Sequence, residues 1–222
     1  MAYSWENNDL YLKTTGAILS TNPVAGNGYG TGAGCNITQA SFTLASTAVV
    51  GTAGQCTCTA TTYNLTVGTA VATTGTLTGT TTGIATSTTY YIIATNGSTS
   101  FILSATRGGT AIVTTAGTTT GLIFTINTSS ARTTALYANA MSGSIQLKSA
   151  AGSATAASFV VNNSAFLADD VVTVNQKSGT DLYVMSITNK VNGAFTITSY
   201  TTGGTTTEQP VFSFAITRAV TA

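Results

Sequence analysis

The sequence predicts an all-β protein built on an antiparallel β-sandwich, and three observations carry that expectation. Short runs of β-branched, aromatic and aliphatic residues alternate with polar ones at period two, separated by turns rich in glycine and asparagine. Threonine supplies 50 of the 222 residues; its branched Cβ suits a pleated strand while its hydroxyl keeps an outward face wet. No long stretch holds a helical period, and residues 134–140 are the one helix candidate.

Residues 1–26 read as an extended N-terminal arm. Tyr3, Trp5, Leu10, Tyr11 and Leu12 stand among Glu6, Asn7, Asn8, Asp9 and Lys13, an adhesive stretch suited to a partner surface or to the chain's own body. Residues 26–34 then place glycine at every second position. Ala33 stands where a dinucleotide fingerprint needs its third glycine, and no helix pattern follows. Extended backbone approached closely by another sheet is the better reading.

The next unit, residues 41–127, is nearly free of charge. Strands are expected at 55–59, 90–94 and 100–104, with Asn96-Gly97 as the hairpin signal between the last two, and 122–126 closing the unit. The Thr/Gly tract at 78–83 reads as surface loop. From 128 onward, strands are expected at 143–148, 158–162, 171–175, 182–188, 194–200 and 211–217. Phe195 and Ile197 share one face, and Phe212, Phe214 and Ile216 share another. The joins at 177–180, Asn192-Gly193 and 202–204 carry turn chemistry.

Composition excludes several function classes. Only 6% of residues are charged and the net charge is +1, so no field draws nucleic acid or an anionic membrane. With no histidine, the Ser-His-Asp and Cys-His arrangements cannot be built, and the six acidic residues are scattered. No enzyme and no cofactor are expected. Cys56 and Cys58 share one strand face, but two thiols without further ligands do not complete a zinc set, so they read as small buried apolar groups, as does Cys35. The adjacent Asp169 and Asp170 read as a strand entry, with a calcium site built on loop carbonyls as the alternative. The opening residues lack the basic segment and apolar stretch of a signal peptide, and the odd count of three cysteines fits folding in a reducing cytoplasm. A low charge leaves copies without mutual repulsion, and β-edges lacking charged gatekeepers favour oligomerisation.

The last hundred residues resemble a family of tailed-bacteriophage virion structural proteins, of head-decoration and head-fibre type. The carrying stretches are Ser158-Phe-Val-Val-Asn-Asn-Ser164, Ala168-Asp-Asp-Val-Val-Thr-Val-Asn175, Ser178-Gly-Thr180, Gly193-Ala-Phe-Thr-Ile197 and Glu208-Gln-Pro-Val-Phe-Ser-Phe-Ala-Ile216. Gly28-Tyr-Gly-Thr-Gly-Ala-Gly34 and Ile37-Thr-Gln39 are similar to a segment that, in that family, runs directly into one like Ser130-Ala-Arg-Thr-Thr134. The intervening part is similar to a threonine-rich phage β-module, through Thr88-Thr-Tyr-Tyr-Ile92 and Phe101-Ile-Leu-Ser-Ala-Thr106. The resemblance implies a jelly-roll-like β-sandwich of residues 27–40 plus 128–222, with 41–127 as a second, inserted β-domain. It implies a capsid decoration or cement protein on the virion surface, assembled as a homotrimer on the major capsid protein. The competing expectation is a fibre or spike component that binds a host surface glycan. Tyr90-Tyr91 is the one aromatic doublet, and strand alternation lets only one of the two be exposed.

Overall fold

Alternating apolar residues on strands too short to stand alone must find facing partners, and this chain finds them twice. The computed structural model describes residues 3–6, 9–12, 18–19, 34–50, 53–117, 119–126 and 131–219. Strands β1 (Tyr3–Glu6), β2 (Asp9–Leu12) and β3 (Ile18–Leu19) form a small sheet, and β4 (Cys35–Thr38) follows. Then come β5 (Phe42–Val50), β6 (Gln55–Cys58), β7 (Ala70–Thr78), β8 (Thr88–Thr95), β9 (Ser100–Ser104) and β10 (Thr120–Ile126). These six close into an antiparallel barrel in the order β10-β5-β6-β9-β8-β7.

The chain continues with β11 (Leu136–Ala138), β12 (Ser142–Gln146), β13 (Ala150–Ala151), β14 (Ala157–Asn163), β15 (Val171–Ser178), β16 (Tyr183–Val191), β17 (Ala194–Thr201), β18 (Thr207–Glu208) and β19 (Val211–Thr217). Two four-stranded sheets result, β11-β14-β17-β16 and β15-β19-β12-β4, with β13 and β18 pairing as a small ribbon. The protein is all-β, with no helix among the described residues. Because β4 pairs with β12, the chain leaves this two-sheet body to build the barrel and rejoins it at β11.

Each unit has its own core. The barrel buries Leu44, Cys56, Cys58, Val71, Ile92, Phe101, Leu103, Leu122, Phe124 and Ile126. The body buries Ile37, Ile145, Phe159, Val161, Phe195, Ile197, Phe212 and Phe214, contributed by both sheets. In each, edge-to-face ring pairs anchor the packing: Phe101 on Phe124 with centroids 5.0 Å apart, and Phe166 on Phe195 at 5.1 Å.

Several expectations need correcting. The 134–140 segment is not helical: β11 occupies its centre and lies parallel to β14. The body is therefore not purely antiparallel, since β4 on β12 is parallel too. Arm residues pair with one another instead of running as one extended strand, in the register Tyr3↔Leu12, Ser4↔Tyr11 and Trp5↔Leu10. Of the glycine-alternating stretch, only Gly34 lies within the described residues. The Asn96-Gly97 loop does join β8 to β9, but only Gly97 has positive φ, at 92°. Asn96 instead uses its side chain, whose Oδ1 accepts from the amides of Ser98, Thr99 and Ser100 at 2.9–3.0 Å.

The edges also differ from expectation. A closed barrel has none. In the body, edge strand β15 carries Lys177 and a register irregularity at Gln176/Ser178, and edge strand β16 carries Lys190 and one at Ile187/Asn189. Two of the chain's few cations thus stand where strand addition would otherwise occur. The short edge β4 is plugged from the barrel side. Asn36 N donates to Asn64 Oδ1 at 2.7 Å, and Asn64 N donates to Asn36 O at 2.7 Å.

Candidate functional site

The five arm residues fall on two strands. Tyr3 and Trp5 are on β1, and Leu10, Tyr11 and Leu12 are on β2, so the pairing brings them together at the backbone level. The other residues singled out by sequence are dispersed. Cys56 and Cys58 point into the barrel core and Cys35 into the body core, all as free thiols. Burial pushes the Cys56 thiol up to about 12 and the Cys58 thiol up to about 11, so neither is a thiolate at neutral pH. Asp169 and Asp170 are split by strand entry: Asp169 is exposed, whereas Asp170 is 1% exposed. The Asp170 carboxylate is fully engaged. It pairs with Arg218 Nη1 at 2.8 Å and accepts from the amides of Leu167 and Ala219. No group of three or more His, Cys, Asp or Glu that could hold a metal ion occurs among the described residues.

Several of the described charges act as loop clips. Arg132 donates Nε to Lys148 O, Nη1 to the Tyr183 hydroxyl, and Nη2 to both Ala150 O and Glu208 O, at 2.7–3.0 Å. The Glu208 carboxylate in turn accepts from the amides of Thr180 and Asp181. Asp181 Oδ2 accepts from Thr206 N at 2.9 Å. One guanidinium and two carboxylates thereby tie the β15–β16 and β17–β19 connections together. Sequence reading passed over Arg132, because nothing near it in the chain announces partners as distant as Glu208.

The barrel meets the body along a seam. Phe42 packs on Tyr63 with centroids 5.3 Å apart, and the Tyr63 hydroxyl donates to Gln146 Oε1 at 2.7 Å. A small pocket on the seam, lined by Ile37, Phe42, Tyr63 and Leu136, has room for about one water. Beside it stands Arg107. Its guanidinium lies 4.8 Å from the Tyr91 ring centre, on the barrel, and 4.8 Å from that of Tyr137, on the body. Its Nε donates to Gly68 O at 2.9 Å. Gly68 has φ +93°, and a Cβ there would meet the Tyr137 ring at 2.5 Å, so only glycine admits this approach. A signal for Arg107 was present in the sequence: it is the only charged residue between Lys13 and Arg132.

Of the aromatic doublet, Tyr90 is buried and its hydroxyl accepts from Ala85 N at 3.0 Å, while Tyr91 is half-buried. On the outer face of the β14-β17-β16 sheet, Thr198 shares hydroxyl hydrogen bonds with Ser158 at 2.7 Å and Thr188 at 2.8 Å. Exposed Val184 and Tyr200 are cross-strand neighbours on the same sheet. No protein-family model, no curated protein and no solved structure matches the chain.

Proposed function

We propose that the chain is a bacteriophage virion structural protein, a capsid decoration or cement protein that binds the outer face of the head as a homotrimer. In this reading a jelly-roll-like β-sandwich, residues 27–40 plus 128–222, carries the barrel as an inserted β-domain, and the major capsid protein is the partner. The observation that carries it is the use made of charge. Arg132, Asp170, Asp181, Glu208 and Arg218 all hold loops in place, which is the economy of a building part. The phage-like stretches agree with this. They supply core strands of the body, with Phe159 and Val161 on β14, Phe195 and Ile197 on β17, and Phe212 and Phe214 on β19. Of the Tyr90-Tyr91 doublet, the buried ring and the ring already stacked on Arg107 offer a host glycan little platform.

Attachment in this reading rests on apolar burial and backbone pairing, with the arm as the contact element. Large aromatic anchors contribute a few kcal/mol each at about 25 cal/mol per Å², and three copies multiply them by avidity. Cryo-EM of particles bearing the protein tests the location: three-fold density on the head supports the reading, and density confined to a tail or fibre overturns it. Deleting residues 1–13 is expected to abolish particle binding while the trimer persists by mass measurement. A stable monomer at micromolar concentration counts against the trimer.

A further inference from the structure

The three arginines among the described residues have three different fates. Arg132 has four acceptors for its donors and is half-buried. Arg218 pairs with Asp170 and donates Nη2 to Ala165 O at 2.9 Å. Arg107 is held by two aromatic rings and one carbonyl, yet only its Nε has an acceptor among the described residues. The side chain is exposed, and no Asp or Glu occurs between Asp9 and Asp169 in the sequence. A free arginine side chain carries large rotamer entropy; the two rings and the Gly68 carbonyl restrict this one, while its outer fork has no acceptor among the described residues.

We propose that Arg107 anchors a carboxylate-binding site at the barrel–body seam, and that its occupant is an Asp or Glu side chain of the protein surface the chain decorates. The proposal rests on the decoration reading. Guanidinium geometry selects a planar oxyanion bidentately. The surroundings select a protein over a sugar acid. Arginine flanked by Tyr91 and Tyr137, with exposed Val67 next to Gly68, is the composition of a protein–protein hot spot. A sugar ring would need an open aromatic face. One face of each tyrosine is covered by the guanidinium, and Gly68 lies against Tyr137.

The test uses the full chain, labelled for detection of arginine Nε–H groups by NMR, titrated with N-acetylglutamate, glucuronate or chloride at matched ionic strength. The expected result is a saturable shift of the Arg107 signal with N-acetylglutamate, none with chloride, and none at Arg132 or Arg218. Arg107→Lys, which keeps the charge over the rings and loses the fork, should weaken that response severalfold. Arg107→Gln should lower particle affinity about tenfold or more, with its melting profile recorded to exclude unfolding. No saturable shift, equal shifts at all three arginines, or a stronger response to glucuronate would overturn the proposal. Wild-type chain that fails to bind particles removes the decoration reading while the titration still decides the site. Wild-type binding matched by Arg107→Gln removes the site and leaves the reading intact.

Discussion

The barrel and the two-sheet body solve the same problem with different chemistry. Both enclose an aromatic-anchored apolar core, and both must satisfy backbone polar groups at loops and edges. The barrel does so with closure and hydroxyls. Thr73, fully buried, donates its hydroxyl to Ala85 O at 2.6 Å or Thr88 O at 3.0 Å, Ser46 pairs with Thr119, and Thr82 N donates to Thr115 Oγ1. It contains a single charge, which faces outward at the seam. The body is built from open sheets with longer connections, and charge is concentrated there: Lys177 and Lys190 on the edges, Arg132 and the Asp170–Arg218 pair in the loops. A closed sheet needs no charged gatekeepers, so a sequence with few charges can place them where the topology stays open.

That contrast can be broken by experiment. The largest effects should come from the cores. Phe124→Ala in the barrel and Phe195→Ala in the body are each expected to cost about 3–5 kcal/mol. Calorimetry then asks whether each lowers one transition or both; a common shift would mean that the seam makes the two units one cooperative body. Next, Gly68→Ala combines positive φ with a clash on Tyr137 and should cost about 2–3 kcal/mol. It should also increase amide exchange at Asn36, whose partner Asn64 lies on the same loop. Unchanged exchange would show that the seam holds without that loop.

Asp170→Asn should destabilise the body by about 2–3 kcal/mol, less than a fully buried pair, because Arg218 keeps 36% of its side chain exposed. A barrel equally affected would erase the distinction between the units. Alkaline titration sharpens it further. Thiols whose folded pKa is raised leave stability intact below the ordinary value of 9.0, and stability is then lost as pH rises toward about 11 for Cys58 and about 12 for Cys56. With two such thiols in the barrel and one in the body, the barrel's melting temperature should fall more steeply above pH 9, and a Cys56→Val, Cys58→Val double variant should flatten that slope. The smallest effect on stability belongs to the edges. Lys177→Val should change stability by no more than about 0.5 kcal/mol, Lys190→Val by more because its Nζ donates to Asp170 O at 3.0 Å, and the two together should raise self-association by light scattering. Scattering that stays flat would show that the irregularities in β15 and β16 block strand addition by themselves.

Legibility in the sequence divided along the same line. Body strands β14, β15, β16, β17 and β19 coincide with expected runs, because their inward positions are large and apolar while their outward ones are polar. In the barrel, β6, β8, β9 and β10 were readable for the same reason, but β5 and β7 were not. Their inward positions include Thr73, and tertiary contacts satisfy its hydroxyl, so hydrophobic alternation fades into a threonine tract. The 78–83 tract is only partly loop-like: Thr81 is buried, and Thr82 is bonded to Thr115. The aromatic residues of the arm are visible in the sequence but the pairing of β1 with β2 is not, and the reading of the cysteines as small buried groups agrees with their burial. Arg107 stood out in the sequence as an isolated charge, but its seam partners Gly68 and Tyr137 did not, and nothing in the sequence pointed from Arg132 to Tyr183 or Glu208.

By itself the sequence determined the all-β class, most of the strands and the low-charge character, because period-two burial and threonine's branched Cβ act locally along the chain. Only the tertiary structure decided that six strands close into a barrel, that β4 pairs in parallel with β12 and β11 with β14, and that Asn64 seals the β4 edge. It also decided that one arginine of three has no acceptor for its outer fork among the described residues. Pairing partners and loop clips depend on which segments meet in space, and a chain so rich in interchangeable threonine, alanine and glycine carries little local information about who meets whom.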